Sequence, residues 1–288
     1  MKEITLFEVG PRDGFQNISN YIPLETKVEI IDGLVQSGVS HIQITSFVSP
    51  KAIVQMKDAR ELAKICLTSY PNTFLSALIP NFRGATTAME TGMQHVSYVV
   101  SLSESHNQAN IKKTHTQSFE EFVLIKKEYP SIQVGLDLAT TFGCPFEGQK
   151  GEKEVVEFLK PYVQAGIDYV ALCDTIGIAH PLQVRNIIKA VKEAFPTLLI
   201  HIHIHDTRNM GMVNTLAAIE MGVSTIQSTL GGLGGCPYAP GASGNLASED
   251  VIYMLSKMKY ETGIDVDSLI ALSKVQYKEI PEGIYSGH

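Results

Sequence analysis

Three histidines spaced two residues apart carry the strongest chemical signal in the chain. His201, His203 and His205 alternate with isoleucines, and the run ends in Asp206-Thr207. A period of two is strand geometry, so the three imidazoles project from one face. Burying them without partners costs on the order of a few kcal/mol each, so they require hydrogen bonds or a metal ion. Structural histidines are the alternative, but the trio followed by an aspartate favours a metal site, with His201, one pleat deeper, in the core or supporting the site.

Polar residues also follow other apolar runs that are typical of strands. They are Arg12-Asp13 after the first run, Gln43, Thr45 and Ser46 in the second, Asp137, Thr140 and Thr141 in the fifth, and Asp174-Thr175 in the sixth. Two imidazoles and a carboxylate, completed by oxygen ligands or water, suit Mg²⁺, Mn²⁺, Zn²⁺ or Co²⁺. Taken alone, Arg12-Asp13 is also typical of a surface ion pair in a turn.

A glycine-rich segment, Gly231 to Pro237, contains Cys236. A backbone of this kind is flexible enough to close over a ligand. A buried free cysteine is more often inert packing, whereas a thiol on a mobile loop is suited to proton transfer. Both interpretations of Cys236 are open from the residues alone.

A repeated pattern indicates the elements that must position these groups. An amphipathic stretch ends at a glycine and a short apolar run follows, at Gly38, Gly92, Gly166 and Gly222. Glycine just past a helix end adopts the left-handed cap without steric cost. Further strand candidates are residues 4–9, 74–79, 132–138 and 198–205. Eight strands alternating with helices predict a (β/α)8 TIM barrel, followed beyond Ser248 by additional C-terminal helices.

The barrel has one rival, a doubly wound open sheet, which normally carries a glycine-rich phosphate loop after its first strand. No such loop follows the first strand here. In a barrel the carboxyl ends of all strands share one rim, so the polar residues named above are expected to gather there. No linker rich in Pro, Gly or Ser divides the chain, so we expect a single TIM-barrel domain over residues 1–288.

Composition narrows the class of protein further. The 288 residues are 44% hydrophobic and 18% charged, which is typical of a globular protein. A net charge of −7 argues against nucleic acid as a partner. No apolar run reaches membrane-spanning length, and no presequence precedes the first strand, so we expect no membrane partner and a cytoplasmic location. The four cysteines lack paired zinc spacing and are expected to be reduced.

Several motifs taken together resemble one family. They are EVGPRDGFQN (8–17), TSFVSPK (45–51), GCPFEG (143–148), CDTIG (173–177), HIHDT (203–207) and GGLGGCPYAPGASGNLASEDVIYML (231–255). The chain resembles the 3-hydroxy-3-methylglutaryl-CoA lyase family of TIM-barrel metallolyases across almost its full length. Related synthases share the barrel but carry extra C-terminal domains, and from the length of this chain we expect a lyase without them.

The resemblance implies a set of roles. Asp13, His203, His205 and Asn245 would bind a divalent cation, Mg²⁺ or Mn²⁺, with Zn²⁺ or Co²⁺ as alternatives. Arg12 would neutralise an enolate oxygen, Cys236 would deliver a proton, and Asp174 would support the base chemistry, alongside Asp13 and His203 in the catalytic set. The implied substrate contacts are Arg12, Gln16, Gln43, Ser46, Thr175 and Arg208. The partner would be an acyl-CoA or a small hydroxy acid, and a homodimer is expected by resemblance only.

Two departures from the family pattern bear on the substrate. Gln43 stands where the lyase pattern has glutamate, and a glutamine cannot act as an anion or a general base. Arg208-Asn209-Met210 stands where the family has Tyr-Gly-Gln, which adds a cation able to bind a second carboxylate.

These departures leave more than one function open. The first hypothesis is retro-Claisen cleavage of 3-hydroxy-3-methylglutaryl-CoA to acetyl-CoA and acetoacetate. The second is a related lyase or aldolase acting on a citramalyl-type or longer branched hydroxyacyl-CoA, or on a 2-oxo acid. The third is a non-catalytic barrel that keeps its metal.

Overall fold

The computed structural model describes residues 3–235 and 244–287 of the chain. At its centre eight parallel strands form a closed barrel. The strands are β1 (Thr5–Glu8), β2 (His41–Ser46), β3 (Phe74–Ile79), β4 (His95–Ser101), β5 (Gln133–Ala139), β8 (Tyr169–Asp174), β9 (Leu199–Ile204) and β10 (Thr225–Ser228). The short strands β6 (Gly143–Cys144) and β7 (Gly148–Gln149) form an antiparallel hairpin outside the barrel.

The first and last barrel strands close the ring. Glu8 of β1 pairs with Ser228 of β10 on one side, and Phe7 pairs with His41 of β2 on the other. An open doubly wound sheet has two free edge strands, so this pairing excludes it. The predicted TIM barrel is confirmed, and the four strands predicted by residue range lie within one residue of their observed bounds.

Helices surround the barrel. They are α1 (Leu24–Gln36), α2 (Ala59–Ser69), α3 (Phe82–Thr91), α4 (Glu104–Ile111), α5 (His115–Glu128), α6 (Glu152–Gln164), α7 (Pro181–Ala194), α8 (Gly211–Glu220), α9 (Ser248–Lys257) and α10 (Val266–Glu279). The two helices after β10, α9 and α10, confirm the predicted C-terminal helices. Within the described ranges, no helix combines the length and the apolar character that crossing a membrane requires.

The end of α1 shows how the repeated glycine works. Ile30, Ile31 and Leu34 bury one face of this helix. Gly38 follows with a φ of +92°, and a Cβ at this position would lie 2.4 Å from the carbonyl oxygen of Gly263. Only glycine combines the left-handed backbone with so close an approach. The chain therefore turns at once from helix into β2.

Aromatic rings fill the amino-terminal end of the barrel. The ring of Tyr169 stacks on His201 with centroids 4.0 Å apart, and Phe7 meets His201 edge-on. Tyr169 crosses directly over Gly135, where a Cβ would lie 1.9 Å from the ring. We call Phe7, Phe74, Tyr169 and His201 the aromatic floor. His201 is therefore a core residue, as predicted, and the space above the floor opens towards the carboxyl ends of the strands.

The C-terminal tail returns to the barrel rim after α10. The backbone N–H groups of Ser286 and Gly287 donate to the carbonyl oxygen of Gly231, at 3.1 and 2.9 Å. The N–H of Gly234 donates to the carbonyl of Ile284 at 3.1 Å. The rim segment after β10 is thus held by chain that lies about fifty residues further on.

Candidate active site

Three predicted ligand residues converge at the rim. One ligand atom from each of Asp13, His203 and His205 lies within 4.8 Å of the others. The two Nε2 atoms of the histidines are 3.2 Å apart, and the Nε2 of His203 is 4.0 Å from Oδ2 of Asp13. All three side chains are buried. We refer to these residues as the ligand cluster.

A wide turn brings Asp13 into this position. Residues Gly10–Gly14 form a single π-helical turn directly after β1, with Pro11 in its first turn. The N–H of Asp13 donates to the carbonyl of Val9 at 2.7 Å, and Gln16 donates its side-chain amide to Oδ1 of Asp13 at 3.0 Å. The turn is buried, so Arg12-Asp13 is not a surface ion pair.

Arg12 pairs with Asp13 inside this turn. Its Nη1 donates to Oδ1 of Asp13, and its Nε donates to Oε1 of Gln43. Burial by itself raises the pKa of the Asp13 carboxyl, but the charge of Arg12, joined in acid by those of protonated His203 and His205, holds that pKa well below its usual range. Asp13 is therefore an anion and a candidate ligand at neutral pH.

The strand β9 presents the two histidines. Nδ1 of His203 lies 3.2 Å from Oε1 of Gln227 on β10. An amide oxygen can only accept, so Nδ1 carries the proton and the lone pair of Nε2 is directed to the ligand cluster. Burial lowers the pKa of His203 to about 4 and also lowers that of His205. Both imidazoles are neutral at pH 7, the form that binds metal.

Asn245 adjoins the cluster from the segment before α9. Its Nδ2 donates to Oδ2 of Asp13 at 2.8 Å and to the carbonyl of Leu233 at 3.2 Å. Its Oδ1 is buried and has no hydrogen-bond partner among the described residues. A buried amide oxygen beside a carboxylate and two neutral imidazoles is a fitting place for a cation.

A bulge in β2 directs two further predicted residues inward. The register with β3 shifts between Gln43 and Thr45, so Ile44 is an extra residue in β2. Gln43 reaches Arg12, while Ser46, three residues on, lines the cavity. Strict alternation would place residues three apart on opposite faces, and the bulge removes that restriction.

A cavity of about 610 Å³ lies above the aromatic floor. The predicted site residues that line it are Arg12, Asp13, Gln16, Ser46, Thr175, His203 and His205. Gly235, which directly precedes Cys236, lines it as well. The predicted residues of the strand ends therefore gather at one rim.

Two predicted residues are placed differently, and a third lies outside the described residues. Both carboxylate oxygens of Asp174 accept backbone N–H groups, from Ile178 and Ala179 at 3.0 Å, and it is Cys173 that lines the cavity. Arg208 is exposed and is not among the lining residues. Cys236 lies outside the described residues. Roles for these three stay predictions.

Gln227 was not predicted as a site residue, and Asp137 was predicted to lie at the rim but without a role. Gln227 supports His203 through the contact above, and Asp137 lines the cavity with a buried carboxylate. A polar residue inside an apolar strand was the available signal in both cases, because such a residue needs a reason to be buried.

Comparison with known proteins agrees with this geometry. Residues 3–275 match the family model described as HMGL-like. The hydroxymethylglutaryl-CoA lyase of Bacillus subtilis (strain 168) is 38% identical over 275 residues, covering 95% of this chain and 92% of that protein. The (R)-citramalyl-CoA lyase of Chloroflexus aurantiacus is 35% identical over 284 residues, covering 95% of this chain and 90% of the relative.

A solved structure extends the likeness to three dimensions. An HMG-CoA lyase from Acinetobacter baumannii, in complex with coenzyme A and 3-methylmalate, has a TM-score of 0.91 and 40% identity. The match covers 97% of this chain and 92% of that one. A family model across nearly the whole chain, with relatives well above 30% identity, leads to one assignment. The chain belongs to the HMGL-like family and is a hydroxymethylglutaryl-CoA lyase-like enzyme, of the carbon–carbon lyase type.

Proposed function

We propose that this enzyme is a metal-dependent lyase that cleaves 3-hydroxy-3-methylglutaryl-CoA, or a close analogue, to acetyl-CoA and a 3-oxo acid. The observation that carries the proposal is the convergence of Asp13, His203 and His205 beside Arg12 at one cavity. The relatives named for activity on CoA thioesters support the substrate class.

The residues fit a divalent cation. We assign the anionic oxygen of Asp13 and the neutral nitrogens of His203 and His205 as ligands, and Oδ1 of Asn245, which has no partner among the described residues, as the fourth. Mixed oxygen and imidazole donors suit Mg²⁺ or Mn²⁺, and Zn²⁺ and Co²⁺ are compatible. When bound, such an ion would lower the pKa of a substrate hydroxyl as it lowers that of water.

Arg12 is the group we assign to transition-state stabilisation. Its bonds to Gln43 and Asp13 use Nε and Nη1, which leaves Nη2 for the thioester oxygen. When the C2–C3 bond breaks, that oxygen gains the charge of an enolate, and a fixed guanidinium stabilises it most at that moment. The rigid turn and the Gln43 contact keep the guanidinium in place.

Protonation of the enolate carbon completes the reaction. We propose Cys236 as the donor, by resemblance, and the position of Gly235 at the cavity supports it. Asp174 is a weaker candidate for proton transfer, because both of its oxygens are engaged by backbone N–H groups.

The direct test is turnover. Purified protein with Mg²⁺ or Mn²⁺ should release acetyl-CoA and acetoacetate in equal amounts from 3-hydroxy-3-methylglutaryl-CoA, and His203→Ala should abolish this. His95→Ala is the matched control, because it makes the same substitution at the other end of a barrel strand. If the metal-loaded protein releases no acetyl-CoA from this or any related hydroxyacyl thioester, the proposal fails and the non-catalytic barrel gains support.

A citramalyl-type substrate is the second candidate. Gln43 in place of the family glutamate and the 35% identity to (R)-citramalyl-CoA lyase favour it. The same bond cleavage would then give acetyl-CoA and a 2-oxo acid. Measuring which carbonyl product accompanies acetyl-CoA separates the two substrates.

A further inference from the structure

Asp137 is a buried carboxylate that no residue of the described chain satisfies. It lies on β5, is 5% exposed, and lines the cavity. Neither of its oxygens accepts a hydrogen bond of good geometry from the described residues, although the side chains of Ser97 and Gln43 lie near enough to lower its pKa. An unpaired buried carboxylate is costly, so its retention in a cavity indicates a ligand group that completes it.

The carboxylate of Asp137 lies close to the aromatic floor. Asp137 pairs in register with Ala171, which pairs with His201 of the floor. Burial, with the Asp137 charge added to it, raises the pKa of Tyr169 and of Cys173. Both groups therefore stay protonated, and Asp137 is the anion at the deep end of the cavity.

The neighbouring cation is already engaged. Burial raises the pKa of Asp137 to about 6, although Arg12 opposes that rise. Arg12 itself binds Gln43 and Asp13 through Nε and Nη1, and its remaining Nη2 is the group we assign to the thioester oxygen. Lys112, the other cationic side chain that lines the cavity within the described ranges, is exposed and donates to the carbonyl of Ala109. A ligand carboxylate at the deep end would therefore meet Asp137 without a free cation beside it.

Hydroxyl groups are the other polar features of this region. Gln43 donates Nε2 to Oγ of Ser97 at 2.8 Å, and Ser97 lies 3.0 Å from the hydroxyl of Tyr169. Oγ of Ser46 is buried and has no partner among the described residues. Hydroxyls and a carboxylate together match a ligand group that both donates and accepts hydrogen bonds.

Gln43 and Asp137 complement each other. A glutamate at position 43 would place a second carboxylate beside Asp137 in the same buried region, and like charges there are unfavourable. The neutral amide avoids this and keeps its oxygen on Arg12. The negative charge that the family pattern places on β2, at position 43, therefore lies on β5 in this chain, at Asp137.

We propose that Asp137 determines which acyl group this enzyme accepts, by binding a hydroxyl at the deep end of the cavity and disfavouring a carboxylate there. The proposal rests on the proposed lyase function and, of the substrates named there, selects a close analogue over 3-hydroxy-3-methylglutaryl-CoA itself. We place the nucleotide part of coenzyme A outside the rim of this cavity of about 610 Å³ and the far end of the acyl chain towards Asp137. The substrate class is a 3-hydroxyacyl thioester whose acyl chain ends in a hydroxyl.

The chemistry of such a substrate balances without a redox partner. In a 3,5-dihydroxy-3-methylpentanoyl thioester, the C3 hydroxyl loses its proton and becomes a ketone as the C2–C3 bond breaks. The electron pair of that bond passes to C2 of the acetyl-CoA enolate, which then takes up a proton. The products are acetyl-CoA and 4-hydroxybutan-2-one.

Two thioesters that differ at one group test the proposal. The 3,5-dihydroxy-3-methylpentanoyl thioester carries CH₂OH where 3-hydroxy-3-methylglutaryl-CoA carries a carboxylate. Calorimetric Kd values and kcat/KM should favour the hydroxyl compound in the wild type by tenfold or more. Asp137→Asn should shift the ratio of the two at least tenfold towards the carboxylate compound. Asp267→Asn, an exposed substitution on α10, should leave the ratio unchanged.

Gln43→Glu is an independent test of the proposal if Asp137→Asn does not fold. It adds a negative charge beside Asp137, so binding of the carboxylate compound should weaken further relative to the hydroxyl compound. An unchanged ratio in both variants, or a wild type that prefers the carboxylate compound, overturns the proposal. Equal loss of kcat for both compounds in Asp137→Asn overturns it too, and indicates a role in the reaction itself. Absence of turnover with either compound refutes the lyase function, while the Kd ratio still decides the role of Asp137.

Discussion

Gln227 holds His203 in one tautomer. The 3.2 Å contact between Oε1 of Gln227 and Nδ1 of His203 directs Nε2 of the ring to the ligand cluster, 4.0 Å from Asp13. A strand neighbour thereby decides which nitrogen is available to a metal. Such supporting contacts commonly contribute 10–100-fold, as an order of magnitude, to metal affinity.

The first prediction concerns this contact. Gln227→Leu should weaken Mn²⁺ binding by roughly tenfold or more, because the imidazole loses its acceptor and either nitrogen can then carry the proton. Gln227→Glu keeps an acceptor at the same place and should bind closer to wild type. Isothermal titration calorimetry on the two variants measures the difference, and equal affinities would refute the role of Gln227.

Metal binding should stabilise the fold. A ligand that binds only the folded state at one hundred times its Kd adds about 2.7 kcal/mol to the free energy of unfolding. Addition of Mn²⁺ to chelator-treated wild type should therefore raise the Tm by several degrees. His205→Ala should lose this shift and His95→Ala should keep it. A shift of the same size in His205→Ala would contradict the ligand assignment.

Glu8 should make stability depend on pH. Burial raises the pKa of this carboxyl to about 7, against the hydrogen bond from Ser248 and the N–H groups of Leu230 and Gly10. The folded state holds the proton more tightly than the unfolded one. The protonated Glu8 carboxyl therefore stabilises the folded state by on the order of 3 kcal/mol. This stabilisation is complete below pH 4.5 and is lost as the pH rises to about 7.

Denaturant unfolding at pH 4.5 and pH 7.5 tests this. The free energy of unfolding of wild type should fall relative to that of Glu8→Gln over the interval. Glu29→Gln, an exposed substitution on α1, serves as the control and should track wild type. Parallel pH curves for wild type and Glu8→Gln would rule out the buried carboxyl as the source.

Gly135 should be essential to the aromatic floor. A methyl group there would lie 1.9 Å from the Tyr169 ring, so the ring must move or β5 must shift. Gly135→Ala should cost about 3 kcal/mol of unfolding free energy, at the upper end for overpacking. Gly151→Ala, whose Cβ would meet nothing closer than 3.9 Å, should change it little. Urea unfolding compares the two glycine-to-alanine variants. Equal stability would show that the aromatic floor accommodates the added methyl group at little cost.

Local sequence patterns were enough to predict the barrel and to place His203 and His205 of the candidate site on one face of a strand. Glycines after amphipathic stretches mark the helix-to-strand turns, and Gly38 has the left-handed backbone that this pattern implies. The alternation of His203 and His205 with isoleucines places both imidazoles on one face. Both features follow from periodicity and backbone sterics over a few residues, so they can be predicted without knowledge of the tertiary structure.

The remaining assignments depended on which residues the closed barrel brings together. Alternation along a strand does not say which face points into the barrel. Cys173 and Asp174 are neighbours on β8, and only the folded structure shows that Cys173 lines the cavity while Asp174 binds backbone N–H groups. The bulge at Ile44 directs both Gln43 and Ser46 to the interior.

Sequence alone indicated the barrel and the histidine pair of the candidate ligand cluster, because both depend on spacing along single elements of the chain. Tertiary structure alone decided the support of His203 by Gln227, the exposure of Arg208 and the unpaired charge of Asp137. Each of these depends on contacts between separate strands, or on the lack of them, and the energy of a buried polar group is set by partners that lie far away along the chain.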